Sequence, residues 1–358
     1  MRSAQPSTFT LVQAARFVAA ALVLFRHSEL VFGLPKYFDY HPLHGAFNGG
    51  NLGVDFFFVL SGFIILHAHW DDVGQPSKLL SYVKKRAFRI YPAYWIAAVL
   101  TLAPLYFVPS RFAEVIGSPS YLIGQFLLLP SDNSFVEVAW SLQHEMMFYA
   151  MFAVLIWNRA AGMLAMGAWF IASATVSGAA APGADLIGDP RHLQFLLGMA
   201  AAFLTRHHTI PSPRVLLTLG VVAFAVCFYV GGIGYGDLAM PGAPNLTLTV
   251  GLASAMILCA LVELEKNHGW HAPNWLRFSG DASYSLYLVH LPLLTLYVRF
   301  IHARHLDAMV PLPVLFAIGL VIGVASGLLF YALVERPMQR FLKKQTRAAP
   351  LPALQPAQ

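Results

Sequence analysis

Ten stretches of this chain are apolar for about the length that a helix needs to cross a bilayer. They are 9–32, 52–69, 88–108, 140–157, 161–178, 191–205, 214–231, 245–264, 281–300 and 312–334, with short polar segments between them. A helical crossing takes about 20 mostly apolar residues. The water-soluble alternative fails on charge. A soluble domain carries roughly 25% charged residues, whereas this chain has 11%, against 58% hydrophobic. It lacks the side chains to cover a water-facing surface, which excludes a cytosolic enzyme, a disordered chain and a disulfide scaffold as its main class. The expected fold is therefore all-α: a polytopic membrane protein of about ten transmembrane helices.

Several details refine that expectation. The run Leu11–Phe32 reads as a retained first helix, because Arg16 interrupts what a cleaved leader would keep purely apolar. The span 191–205 is short and would extend or tilt. Tyr121–Pro130 is too short to cross and reads as a re-entrant or interfacial segment. The membrane domain is expected over 1–345, followed by a disordered cytoplasmic tail over 346–358 with Pro350, Pro352 and Pro356. Cys227 and Cys259 both lie in apolar runs and read as small core residues.

The net charge of +6 would suggest nucleic acid in a soluble protein. Its distribution points to membrane topology instead, and no nucleic-acid partner is expected. With the N-terminus inside and ten alternating spans, the inside segments hold Arg2, Lys78, Lys84, Lys85, Arg86, Arg89, Arg159, Arg206, Arg214, Lys266, Arg277, Arg336, Arg340, Lys343, Lys344 and Arg347. The outside segments hold Lys36, Arg111, Arg191, Arg299 and Arg304. Both termini come out cytoplasmic by the positive-inside rule. A crossing at Tyr121–Pro130 would move Arg159, Arg206 and Arg336 outside, which speaks against it.

Polar side chains inside these spans carry the functional signal, because a charge near mid-membrane costs on the order of 3 kcal/mol. Arg16 and His27 stand eleven residues apart in the first span. At about 100° per residue they share one helix face, about 16 Å apart along the axis. Taken singly, Arg16 also reads as a snorkelling arginine and His27 as an interfacial histidine. In the second span, Asp55 reads as a helix-start carboxylate stabilised by the dipole. Ser61-Gly62 permits close helix contact or ligand approach. The stretch Lys84-Lys85-Arg86-Ala87-Phe88-Arg89-Ile90-Tyr91-Pro92 fits positive-inside anchoring with an aromatic belt. It also fits a basic mouth for a phosphorylated ligand, since arginine forks match phosphate.

Further along, Trp140 and Ser141 open a helix on which Ser141, Glu145 and Tyr149 line one face. A bare glutamate at that depth needs a partner or a wet cavity, and it is hard to explain as packing. His290 sits in the ninth span two residues before Pro292; a lone helix histidine is more often structural. No Walker loop, Rossmann glycine pattern, HExxH or GxSxG elbow occurs. The pairs His67/His69 and His207/His208 lack metal-ligand company, so no metal is expected.

In order, these stretches resemble the acyltransferase-3 family of integral membrane O-acyltransferases, among them exopolysaccharide and lipopolysaccharide acetyltransferases. The family's marks are an Arg, ten residues and a His in the first helix, then GVDxFFVLSGFI, then RxxRIYPxYW, then WSLxxE. Here they fall at Arg16/His27, Gly53–Ile65, Arg86–Trp95 and Trp140–Glu145. Ser283–His290 and Val334-Glu335-Arg336-Pro337 are similar too. Each motif alone is weak, but the ordered set spans nearly the whole chain. Some members carry a C-terminal extracytoplasmic hydrolase-like domain. This chain is expected to have none, and so to finish the transfer itself or hand on to another protein.

The resemblance implies a cytoplasmic acyl-CoA co-substrate, acetyl-CoA first of all, and no tightly bound cofactor. It implies a hydroxyl acceptor, a sugar or lipid-linked glycan, at the outer side of a bacterial-type inner membrane. It also implies essential roles for Arg16 and His27. On that basis Lys85, Arg86 and Arg89 would hold the CoA phosphates. His27 would act as general base, with an acyl-histidine as the alternative. Arg16 would bind the donor or stabilise the intermediate. Glu145 would orient His27 or bind sugar hydroxyls. Tyr91, Asp55, Ser61, Trp140, Ser141 and His290 complete the expected substrate contacts. The competing reading is a proton-coupled transporter or flippase for a lipid-linked sugar, with the buried His, Glu and Arg as a proton relay. Against it stand the basic mouth and the absence of visible repeat symmetry.

Overall fold

The computed structural model describes residues 9–103, 115–130, 134–175, 187–234 and 244–341. The tail expected over 346–358 lies outside them. All regular structure among the described residues is helical. The helices are α1 (Thr10–Phe32), α2 (Leu52–Ala68), α3 (Pro76–Leu102), α4 (Pro119–Phe126), α5 (Ala139–Trp157), α6 (Arg159–Thr175), α7 (His192–His207), α8 (Pro213–Gly234), α9 (Pro244–His268), α10 (Asn274–Asp281), α11 (Ser283–Ala303) and α12 (Leu312–Phe330). A π-helical turn, Tyr331–Glu335, continues α12. All but α4 overlap one of the ten expected spans, α10 only at Asp281.

Among the described residues, five helical stretches are long and apolar enough to cross a membrane: Asn48–Ala68, Pro213–Gly232, Leu246–His268, Ser283–Ala303 and Leu312–Phe341. The others fall short for readable reasons. Helices α6 and α7 have 17 and 16 residues. Helices α1, α3 and α5 carry the charged residues that the sequence marked, Arg16, Arg86, Arg89 and Glu145 among them.

Helix α1 is the hub, packing on α2, α9, α10, α11 and α12. Its start is fixed from a distance. Phe9 offers no side-chain cap, so the first amides need another acceptor. Glu265, near the end of α9, supplies both of its oxygens: Thr10 N and Leu11 N each donate to it at 2.8 Å. A carboxylate at that pole also faces the positive end of the helix dipole. Glu265→Ala is expected to lower stability by about 1.5–3 kcal/mol, read as a drop in Tm in detergent.

Helices α2 and α7 meet through two glycines. A Cβ on Gly62 would fall within 3.0 Å of the Phe195 backbone, and one on Gly198 within 3.0 Å of the Val59 backbone. The small residue read at position 62 therefore serves helix contact, and it frees Ser61 to face elsewhere. Phe148 of α5 stacks on Phe195 at 4.4 Å beside the same crossing. The segment expected to be re-entrant, Tyr121–Pro130, overlaps the eight-residue helix α4, which starts two residues earlier and at about 12 Å is too short to cross. The carbonyls at its end are held by α3: Tyr94 OH donates to Gln125 O, Trp95 Nε1 to Phe126 O and Tyr91 OH to Leu127 O, all at 2.9 Å.

Candidate functional site

A cavity of about 380 Å³ opens among α1, α2, α3, α5, the end of α10, α11 and the C-terminal π turn. Its polar wall comes from separate elements: Arg16, Ser61, Arg86, Arg89, Glu145 and Asp281. Three arginines and two carboxylates thus face one space inside an apolar shell.

The three arginines differ in what they already hold. Arg16 donates through Nε to Ser283 Oγ at 3.1 Å. Arg89 is in a close ion pair with Glu335, and its guanidinium also lies 5.2 Å over the Tyr284 ring. Glu335 is 3% exposed. It accepts in addition from Ser285 Oγ and, at 2.8 Å, from Gln339 Nε2. It sits on the π turn, a distortion found often at functional sites. Arg86 lies 5.8 Å over the Tyr149 ring, and its Nε has no hydrogen-bond partner. Of the three, Arg86 alone makes no hydrogen bond or ion pair with a described residue, so it is the arginine freest to take an anionic ligand.

Glu145 is fixed through one oxygen. Its Oε1 accepts from Ser61 Oγ at 2.7 Å and from Tyr149 OH at 2.5 Å. Both donors use the same oxygen of this cavity-lining carboxyl, which leaves Oε2 for another partner. The face Ser141–Glu145–Tyr149 forms as its spacing predicts. Ser141 Oγ lies 2.8 Å from Tyr287 OH, which closes that part of the wall.

His27 does not line the cavity. Its Nδ1 lies 2.8 Å from Nε2 of His290, and the rings stack at 12° with centroids 5.1 Å apart. Tyr287 lines the cavity, and its ring centroid is 6.2 Å from that of His290. The histidine pair is thus one side chain removed from the cavity wall. Arg16 lines the cavity while His27, three turns further along α1, lies beyond it. Glu145 does not orient His27; His290 occupies that place.

The remaining expected contacts are engaged elsewhere. Asp55 is not a side-chain cap: its Oδ1 accepts from Gln194 Nε2 at 2.7 Å, tying α2 to α7. Trp140 lies under the Arg191 guanidinium at 5.1 Å and beside Phe58. Tyr91 holds Leu127 O of the α4 end, and Lys85 is exposed on α3. None of these four lines the cavity, and neither does His290. Sequence reasoning missed the role of Glu335. The signal was present as a carboxylate closing an apolar run, before Arg336-Pro337.

A second polar cluster also went unread. His144 Nδ1 and His192 Nε2 are 2.8 Å apart, and His192 Nδ1 is 3.1 Å from Ser173 Oγ. Nearby, Asp189 pairs with Arg191 at 3.0 Å. Burial pushes the Asp189 carboxyl up, but the Arg191 guanidinium and His144 outweigh it and hold it below its ordinary value. Among the described residues, no group of three or more His, Cys, Asp or Glu is placed to hold a metal ion.

A family model described as an acyltransferase domain matches residues 11–332. Over 306 residues the chain is 26% identical to the exopolysaccharide production protein ExoZ of Rhizobium meliloti, covering 82% of this chain and 91% of that one. It is 29% identical over 178 residues to protein 2 in the picA locus of Rhizobium radiobacter, covering 43% and 85%. It is 24% identical over 343 residues to the O-acetyltransferase OatA of Staphylococcus aureus, covering 84% of this chain and 54% of that longer protein. No solved structure matches.

Proposed function

The chain belongs to the acyltransferase-3 family of membrane O-acyltransferases, and from that premise we propose that it moves an acetyl group from cytoplasmic acetyl-CoA to a sugar hydroxyl of an exopolysaccharide or its lipid-linked precursor. In this reading ten helices span a bacterial-type inner membrane and both termini are cytoplasmic. Arg86, Arg89, Asp281 and Gln339 then mark the inner mouth of the cavity, while His27 lies deeper.

The observation that carries the reading is the division of labour along α1. Arg16 faces a cavity bordered by further arginines, and His27 stands three turns beyond it. The CoA phosphates meet Arg86 at the mouth, with exposed Lys85 adding charge to the approach. The acyl arm runs past Arg16 toward Tyr287. The acceptor hydroxyl attacks the thioester carbonyl, and His27 takes its proton. The C–O bond forms, the C–S bond breaks, and the leaving thiolate regains the proton as CoA thiol. Glu145 Oε2 is placed for a substrate N–H or O–H.

The relatives support the acceptor class. One is named for exopolysaccharide production and another as an O-acetyltransferase. The test is to incubate membranes containing the protein with acetyl-labelled CoA and to follow the label. Transfer to polysaccharide or glycolipid is the expected result. Label that stays on CoA while a lipid-linked sugar changes leaflet would replace the enzyme with a transporter.

A further inference from the structure

We infer that His290 is a positioning residue that sets the tautomer of His27 and leaves His27 Nε2 as the atom that receives the proton. This rests on the reading of His27 as general base. It gives His290 a role other than contact with substrate.

The argument is a directional chain of hydrogen bonds. His290 Nδ1 lies 2.8 Å from the Leu286 carbonyl oxygen, one turn back on α11. A carbonyl only accepts, so Nδ1 carries the hydrogen. A neutral imidazole has one N–H, so Nε2 of His290 presents a lone pair. His27 Nδ1, at 2.8 Å from that nitrogen, must donate to it. The single hydrogen of His27 is then committed to Nδ1, and its Nε2 is the free base.

Both rings must be neutral for this chain to hold, and the surroundings make them so. His290 is 0% exposed. Its hydrogen-bond partners are the Leu286 carbonyl and His27, with no carboxylate among them. A second proton on the pair would bury a charge without a counter-ion, which a low-dielectric interior strongly disfavours. The 12° angle between the ring planes keeps the two imidazoles nearly parallel along this hydrogen bond, so the contact fixes the ring plane as well as the tautomer. His27 is the partly exposed member of the pair, and no hydrogen bond from its Nε2 to a described residue occurs.

The arrangement follows the general rule that the group bonded to one imidazole nitrogen decides what the other can do. Here the orienting group is a neutral acceptor anchored to backbone. A carboxylate in that place would cost more inside a membrane. A neutral orienter also gives little support to a lasting imidazolium. The proton is therefore passed to the leaving thiolate within the same transfer.

Two substitutions and one spectrum test this. His290→Leu removes the acceptor and is expected to lower kcat by roughly 10²-fold, the scale of one general-base contribution, with KM for acetyl-CoA unchanged. His290→Gln keeps a carbonyl oxygen that can accept from His27 Nδ1 and should restore most of kcat. A structural role alone would not produce this rescue. Histidine 15N NMR of the protein in nanodiscs, with His27→Ala to assign the signals, should show a protonated Nδ1 and an unprotonated Nε2 at His27. The proposal is overturned by a wild-type kcat in His290→Leu, by an equal loss in His290→Gln, or by a protonated Nε2 at His27. Activity surviving in His27→Ala would remove the base reading alone. The spectrum needs no substrate and would still decide the His290 assignment.

Discussion

His27→Ala is expected to abolish acetyl transfer while leaving the protein folded and inserted. The imidazole is asked to remove a hydroxyl proton as the thioester is attacked, a contribution of about 10²- to 10⁴-fold. Its partner His290 holds it, but the fold does not depend on it. His27 is partly exposed, and its loss leaves one neutral acceptor, His290 Nε2, without a donor. That costs on the order of 1 kcal/mol. The measurement is transfer of labelled acetyl in membranes, with Tm recorded in parallel. Transfer within tenfold of wild type, in a variant of unchanged Tm, would end the general-base account. A variant that transfers nothing but also fails to melt cooperatively would point to a structural histidine instead.

What the sequence made legible was whatever a single helix determines. The shared face of Arg16 and His27, and the line Ser141–Glu145–Tyr149, follow from helical period alone. What it could not supply was which faces meet. His27 and His290 are 263 residues apart, Arg89 and Glu335 are 246 apart, and Ser61 and Glu145 are 84 apart. Such pairings depend on close crossings like Gly62 on Phe195, where the absence of a side chain sets how near two helices come. Three expected contacts lie off the cavity for a shared reason. Asp55 and Trp140 stand in the first turns of their helices and Tyr91 midway along α3, polar or amphipathic groups for which the resemblance offered a ligand. Packing offered Gln194, Leu127 O and Arg191 first. The resemblance leaves Glu145 either to orient His27 or to bind sugar hydroxyls. In the folded chain two hydroxyls take one of its oxygens, and a second histidine takes the place beside His27.

Arg86 and Arg89 look equivalent in sequence, and their substitution is expected to separate them. Arg89→Gln leaves Glu335 buried at 3% exposure with its charge no longer balanced. Removing one partner of a buried pair costs about 3–5 kcal/mol. The expected result is a large fall in Tm and in folded yield, because Glu335 ties the π turn after α12 to α3 and α11 through Arg89 and Ser285. Restoring neutrality with Arg89→Gln and Glu335→Gln together should recover much of that loss. Arg86→Gln breaks no ion pair, and its Nε gives up no hydrogen bond. Its Tm should stay near wild type, while KM for acetyl-CoA rises by about tenfold or more, the scale of one charge-assisted contact. Equal falls in Tm for both variants, with KM unmoved by Arg86→Gln, would make the pair membrane anchors and take the phosphate site away from α3. The double variant matters for this choice. An anchor works by its count of Lys and Arg, so losing a carboxylate could not restore it, whereas a buried ion pair is relieved when both of its charges go.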